Sequence, residues 1–473
     1  MGQEIHSSQF SNHDFNRFKQ RLTDETTLLA EYFRKQMFCH ESDVGGFEIE
    51  ACLVDREMKP APRNVEYIKR LNSPLVVPEL ALFNLELNSS PLQLKGRALE
   101  VMYEELDNNL LRCREMADEM AVHLVMVGIL PTLRDGDLSI SNISDMNRYY
   151  ALNDEILKLR GGRPLYLNIQ GKDSLAISHD DVMLEAATTS FQVHLQIDPG
   201  ISARYYNAAQ IASAPIVAAS ANSPFLFGKQ LWQETRVPLF EQSVAVGLPD
   251  RQRVTFGSGY IKGSMMECFE ENLADYPILI PGNTDDNITS FSHLRFHNGT
   301  IWRWNRPLLG IGKDGILHLR IEHRVIPAGP TAVDSIANAA LFYGYCSFLA
   351  NRSDAPENEL SFDEARENFY NCARFGLDAE VACFGKRAMK VSQLLLDDVI
   401  PAAREGLARM GIDISSVQKY MDVVDERVRS GQNGAVWQTQ YVRNNAVDMT
   451  LMCRAYLDNQ QQGAPVHEWS VRC

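Results

Sequence analysis

The sequence predicts an α+β fold: strands of one curved sheet whose polar faces turn into a single cleft, with packed helices and a helical C-terminal region. Three observations predict it. Apolar and polar residues alternate with period two at 45–54, 82–88, 190–197 and 318–325, the pattern of strands with one face in a core. The polar face of every one of these strands carries a carboxylate or an imidazole. Helical spacing of apolar residues separates the strands and takes over entirely after Thr331.

At 473 residues the chain exceeds a typical single-core domain, which predicts two domains, or one large sheet-based domain with a helical addition. The expected division is a helical lead-in over 1–44, a sheet domain over 45–350 and a packed helical region over 351–473. With 45% hydrophobic and 23% charged residues it falls among ordinary globular proteins. A net charge of -15 argues against nucleic acid or an anionic membrane surface as partner. No apolar run is long enough to span a bilayer and residues 1–24 are polar, so a cytoplasmic location is expected. Nine cysteines without a Cys-x-x-Cys pair read as reduced, buried thiols rather than a zinc site. A homo-oligomer is compatible with all of this.

Taken in order, Phe18, Leu22, Leu29, Tyr32 and Phe33 predict an N-terminal helix over 14–38. In the strand that follows, Phe47, Ile49 and Ala51 take one face while Glu48 and Glu50 share the other, about 7 Å apart by strand geometry. An isolated Glu-x-Glu is most simply a solvated strand face. The second strand carries Glu86 beside Asn84 and Asn88, with Glu79 seven residues before it. A long amphipathic helix over 95–125 and a short strand near 124–128 follow; 132–165 and 250–300 read as polar loops over a site. His194 stands on the polar face of its strand with Gln192 and Gln196. A small-residue helix over 203–221 packs on something flat and leads to a loop carrying Arg236.

Gly310-Ile311-Gly312-Lys313-Asp314-Gly315 matches a dinucleotide-binding pattern, but the hairpin turn at its end leads into a strand rather than a helix, so the Rossmann reading fails. That strand sets Arg320, Glu322 and Arg324 on one face. Helices are expected at 332–350, 363–374, 387–410, 415–429 and 435–457.

One shared explanation covers the carboxylates and the imidazole: strands of a single sheet pointing them into one cleft, where hard divalent cations take oxygen ligands and a triphosphate bridges the ions. The chain has no Gly-x-x-x-x-Gly-Lys loop, which leaves phosphate to metals and arginines.

The order of motifs is more specific than any one of them. Glu48-x-Glu50, the pair Glu79 and Glu86, Gln192-Val193-His194, Ala221-Asn222-Ser223-Pro224-Phe225 followed by Arg236, Ile321-Glu322-His323-Arg324 and Arg374-Phe375-Gly376-Leu377 together resemble glutamate-cysteine ligase family 2, the carboxylate-amine ligases with a glutamine synthetase-like fold. The resemblance implies a curved antiparallel sheet forming an active-site funnel, of the glutamine synthetase and guanidino kinase catalytic-domain type, with ATP as cofactor and two or three Mg2+ or Mn2+ ions. It places Glu50, Glu79 and Glu86 at one metal site and Glu48, His194 and Glu322 at the other. Arg324, Arg236 and Arg320 would contact phosphates, with Arg324, Arg236 and Glu322 at the catalytic step and His194, Arg320 and Arg324 toward the nucleotide. The implied reaction joins glutamate or a similar acid to an amine such as cysteine through an acyl phosphate. Two positions depart from the family pattern: Gln192 stands where His-x-His is common, and Pro327 where an Asp is usual.

Two readings compete with a ligase: a phosphotransferase of the guanidino kinase type, and a nucleotide-binding homologue without catalysis. The retention of all six ligand residues, five of them mutually repelling carboxylates, argues against the second.

Overall fold

In the computed structural model, residues 4–246, 252–282 and 287–472 are described. An eight-stranded sheet forms the centre of the molecule. Its order runs Asn305–Ile311, Leu317–His323, Phe191–Ile197, Val44–Val54, Asn84–Asn88 and Val76–Pro78, with Leu92–Gln93 and His123–Val125 also pairing to the long Val44–Val54 strand. All of these pairings are antiparallel.

One face of the sheet is apolar. Phe47, Ile49, Leu85, Leu87, Phe191, Val193, Leu319 and Ile321 are buried in one core, in which helix Ser202–Ser220 packs on Asn305–Ile311 and Leu317–His323 and helix Ala332–Ala350 packs on Phe191–Ile197. The alanine and serine content of Ser202–Ser220 lets its backbone lie close to the strands, since small side chains shorten the packing distance. Tyr343 reaches up from the second helix and donates to the carbonyls of Gly46 and His194, tying two neighbouring strands together. This explains Gly45: a Cβ there would stand 2.7 Å from Leu94 Cδ2 and 2.9 Å from the Tyr343 hydroxyl.

The N-terminal helix is Asn12–Lys35, opened by a Ser11 and Asp14 capping box. The C-terminal helices Ile400–Arg409 and Ile414–Ser430 pack on helix Ala332–Ala350. Arg427 pairs with Asp334 at 2.7 Å and donates to Asn338, and Tyr456 and Gln460 both donate to the carbonyl of Met126. Among the described residues no helix is long and apolar enough to cross a membrane.

Several expectations need correction. The stretch 132–165 is not simply a loop: Tyr149, Leu152 and Ile156, spaced three and four apart, bury one side of helix Asn147–Leu159. Two helices, Met266–Asp275 and Ser292–Gly299, lie within 250–300, of which residues 250–251 and 283–286 fall outside the described ones. The helix expected from 387 is preceded by a hairpin, Glu380–Cys383 with Lys386–Lys390, because Gly385 turns the chain at φ 55. The helix expected over 435–457 is two, Gly434–Asn445 and Met449–Gln462. Ala446 takes a left-handed conformation that ends the first, and Asp448 caps the second. Arg236 opens helix Arg236–Ser243 rather than standing in a loop. The rejected dinucleotide pattern is a hairpin, with Gly315 in its turn at φ 82.

Candidate active site

Strand register gathers the polar side chains. Glu50 lies opposite Glu86, Glu48 opposite both Asn88 and Gln192, and Glu322 opposite both His194 and Arg306. Cross-strand partners project to the same face, so these pairings alone concentrate the carboxylates on one side of the sheet. That face is not a solvated surface: Glu86 is 1% exposed, Glu322 0%, and Glu48 and Glu50 8% and 9%.

Two ligand clusters result. Ligand atoms of Glu50, Glu79 and Glu86 lie within 4.8 Å of one another, and so do those of Glu48, His194 and Glu322. The central strand contributes one residue to each. His194 Nε2 stands 3.4 Å from Glu48 Oε1 and 3.8 Å from Glu322 Oε1. Both ring nitrogens of His194 and the Oε2 of Glu86 are buried with no hydrogen-bond partner among the described residues. Buried polar atoms without partners cost free energy, and an oxygen-rich set with one imidazole matches the preference of Mg2+ or Mn2+. The residues therefore fit a pair of hard divalent ions.

The electrostatics agree with that fit. Burial, then the charge of Glu86, pushes the Glu50 carboxyl up to about 7, although Arg324 opposes it. Burial and Glu50 raise Glu79 to about 7 as well, and burial with Glu48 and Glu79 holds Glu86 well above the usual range. Glu322 goes the other way. Its burial is overruled by the adjacent Arg306 and Arg324 guanidinium groups, which keep it ionised.

A cavity of about 350 Å³ opens over the clusters. Glu48, Glu50, Glu79, His194 and Glu322 line it, together with Arg320 and Arg324. A second cavity of about 510 Å³ adjoins it through Glu48, His194 and Arg320, and is bounded by Gly45, Gly46 and the hairpin residue Lys313. Glu86 sits behind its cluster partners and lines neither cavity. Arg236 is also not brought to either one. Its guanidinium is buried, pairs with Glu234 at 3.0 Å, and donates to the carbonyls of Arg324 and Val325.

Sequence reasoning missed three groups on the cavity wall. Arg306 forms a two-pronged bond to Glu322, at 2.8 and 2.9 Å. Its signal was present, since Arg306 lies as far before the Asp314 turn as Glu322 lies after it. Arg148 and Tyr149 come from the helix that had been read as loop. Glu185 is the one polar residue of the turn Met183–Ala187, and burial with the charge of Glu50 pushes its carboxyl up to about 8.

With this geometry described, comparison with known proteins decides the family. The model of glutamate-cysteine ligase family 2 matches residues 44–464. The chain belongs to that family. As a member it is an ATP-dependent carboxylate-amine ligase. No curated protein sequence matches it. Among solved structures it is similar to a glutamate-cysteine ligase from Francisella tularensis in complex with AMP, at 11% identity and a TM-score of 0.58, over 92% of this chain and 91% of that one. It is also similar to a bifunctional glutathione synthetase from Pasteurella multocida, at 11% identity and a TM-score of 0.55, over 92% of this chain and 55% of that one. At such identities the likeness is one of fold.

Within the family pattern the two departures have local explanations. Gln192 donates to Glu50 Oε1 at 2.9 Å and accepts from Arg324, so its amide bridges a carboxylate of one cluster to the arginine beside the other. Pro327 is buried against Ser190 and lines neither cavity.

Proposed function

We propose that this ligase activates the side-chain carboxylate of glutamate or a similar acid with ATP and joins it to an amine. The observation that carries the reading is the pair of ligand clusters facing one cavity beside Arg306, Arg320 and Arg324. Divalent ions, when bound by Glu50, Glu79, Glu86 and by Glu48, His194, Glu322, supply charge neutralisation for phosphoryl transfer.

The protein's own groups do the rest. Arg320 and Arg324 each present a buried Nε with no partner among the described residues, suited to oxygens of the transferring phosphoryl group. Gly45, Gly46 and Lys313 suit the second cavity to the remainder of the nucleotide, with its phosphates toward Arg320. A carboxylate oxygen of the acid then attacks the γ-phosphorus as the bond to ADP breaks, giving an acyl phosphate. The amine, arriving as an ammonium ion, gives up one proton, its nitrogen attacks the acyl carbon, phosphate leaves, and the nitrogen gives up a second proton. The ATP requirement suits a cytoplasmic location.

The test is ADP release with ATP, Mg2+ and L-glutamate across a panel of amines that includes L-cysteine, with products identified by mass. An amide with one amine establishes the reaction and names the acceptor. ADP and a phosphorylated acceptor without amide would instead support a phosphotransferase.

A further inference from the structure

The cavity wall nearest the Glu50, Glu79 and Glu86 cluster holds a carboxylate that belongs to neither cluster. Glu185 sits on the turn Met183–Ala187, whose other four residues are all buried apolar side chains. The turn is fixed in place, because Asn84, on the same strand as Glu86, donates to the carbonyl of Ala186 at 2.8 Å. No described residue donates a hydrogen bond to the Glu185 carboxylate, although it lines the cavity and lies in the field of Glu50 and Glu79. A rigid turn therefore presents an acid without a hydrogen-bond donor to the part of the cavity near Glu50 and Glu79, in a lining that also carries Arg148, Arg295, Arg306, Arg320 and Arg324.

An acid so placed is suited to a cation besides those arginines, of which Arg306 and Arg324 are engaged by Glu322. The two ligand clusters account for two metal ions. The remaining positively charged reactant of a carboxylate-amine ligation is the amine itself, which arrives as an ammonium ion at neutral pH. We propose that Glu185 binds that ammonium group and selects cationic primary amines as acceptors, an inference resting on the ligase reading above. Leu80, Tyr149 and Leu152 line the same cavity and offer apolar surface to the carbon skeleton of the acceptor. Arg148, which donates to the Tyr149 hydroxyl at 2.7 Å, lines the cavity alongside.

The test compares two nucleophiles in the whole protein with ATP, Mg2+ and L-glutamate. Hydroxylamine is largely uncharged at pH 8 and traps an acyl phosphate as a hydroxamate, whereas L-cysteine, L-2-aminobutyrate and ethanolamine present ammonium groups. In Glu185→Gln the loss of kcat/KM with the cationic amine is expected to exceed the loss with hydroxylamine by about tenfold or more, mostly through KM, with Glu185→Asp in between. Should the Gln variant fail to fold, the Asp variant carries the same comparison.

Equal losses with both nucleophiles, or an unchanged amine KM, would overturn the assignment. So would a weakened Mn2+ affinity in titrations of Glu185→Gln, which would make the residue a metal ligand. Hydroxamate with no amide from any cationic amine would also overturn it. Neither hydroxamate nor amide from the wild type would overturn the ligase reading on which it rests.

Discussion

Arg306 and Glu322 face each other across a hairpin and close two parallel hydrogen bonds, with both side chains 1% exposed. A pair this deeply buried is held by mutual need, because removing one partner leaves the other charged and dry. Arg306→Ala is expected to lower stability by about 3–5 kcal/mol in urea denaturation. A midpoint shift near zero would show that Glu322 is satisfied by Arg324 and His194 alone.

The Glu50, Glu79 and Glu86 cluster behaves oppositely without metal. Replacing one member by its neutral isostere, Glu86→Gln, relieves like-charge repulsion and should raise the melting temperature of the metal-free protein. The same change removes a ligand, so ATP turnover with Mg2+ should fall about a hundredfold or more. A variant that melts lower and turns over ATP normally would sink the assignment of this cluster.

The pH dependence follows with its sign. Glu50 and Glu79 have folded-state values of about 7 against an ordinary 4.5, so the folded protein holds protons that the unfolded chain releases. Stability of the metal-free protein should therefore fall as pH rises from about 4.5 to 7. Glu322, shifted down, contributes in the opposite sense and only at more acidic pH. Saturating Mn2+ should reverse the decline, and calorimetric titration in buffers of different ionisation enthalpy should detect proton release on binding. A melting temperature that climbs from pH 5 to 7 in chelator would contradict these shifts.

Arg236 is expected to act on stability rather than on phosphate. Its guanidinium bonds Glu234 and two backbone carbonyls, so Arg236→Ala should destabilise the protein, again by about 3–5 kcal/mol. Folded Arg236→Lys should keep a normal KM for ATP. A large rise in that KM, without loss of stability, would return Arg236 to the nucleotide.

Gln192 joins Glu50 to Arg324, and Gln192→Ala should cost about ten- to a hundredfold in kcat while leaving the protein folded. Gln192→Glu should be worse, because it sets a third carboxylate against Glu50. Steady-state kinetics with circular dichroism on both variants checks the order.

Much of the sheet was legible because its strands alternate strictly. Period two assigns each side chain a face, so Glu48, Glu50, Glu86, His194 and Glu322 were readable as one surface before any coordinates. Burial of that surface was not legible. A polar strand face in a sequence looks wet until something is known to cover it, and the cover here is the short helices Asn147–Leu159 and Ser292–Gly299. Those helices are short and set among polar residues, so their apolar spacing is a weak signal. Arg236 misled for a different reason: the guanidinium that suits phosphate also suits backbone carbonyls, and only its position separates the two.

Glu48 and Glu50 lie two residues apart on one strand, each serving a different cluster. The separation of the two centres is thus set by the repeat of the polypeptide itself, and a single inserted residue between them would turn one acid into the apolar layer. Change at the heart of this enzyme is all or nothing. Gradual adaptation to new acceptors is left to pieces that do not share that ruler, such as the Met183–Ala187 turn and the covering helices. A fixed pair of clusters with exchangeable walls is the design this strand enforces.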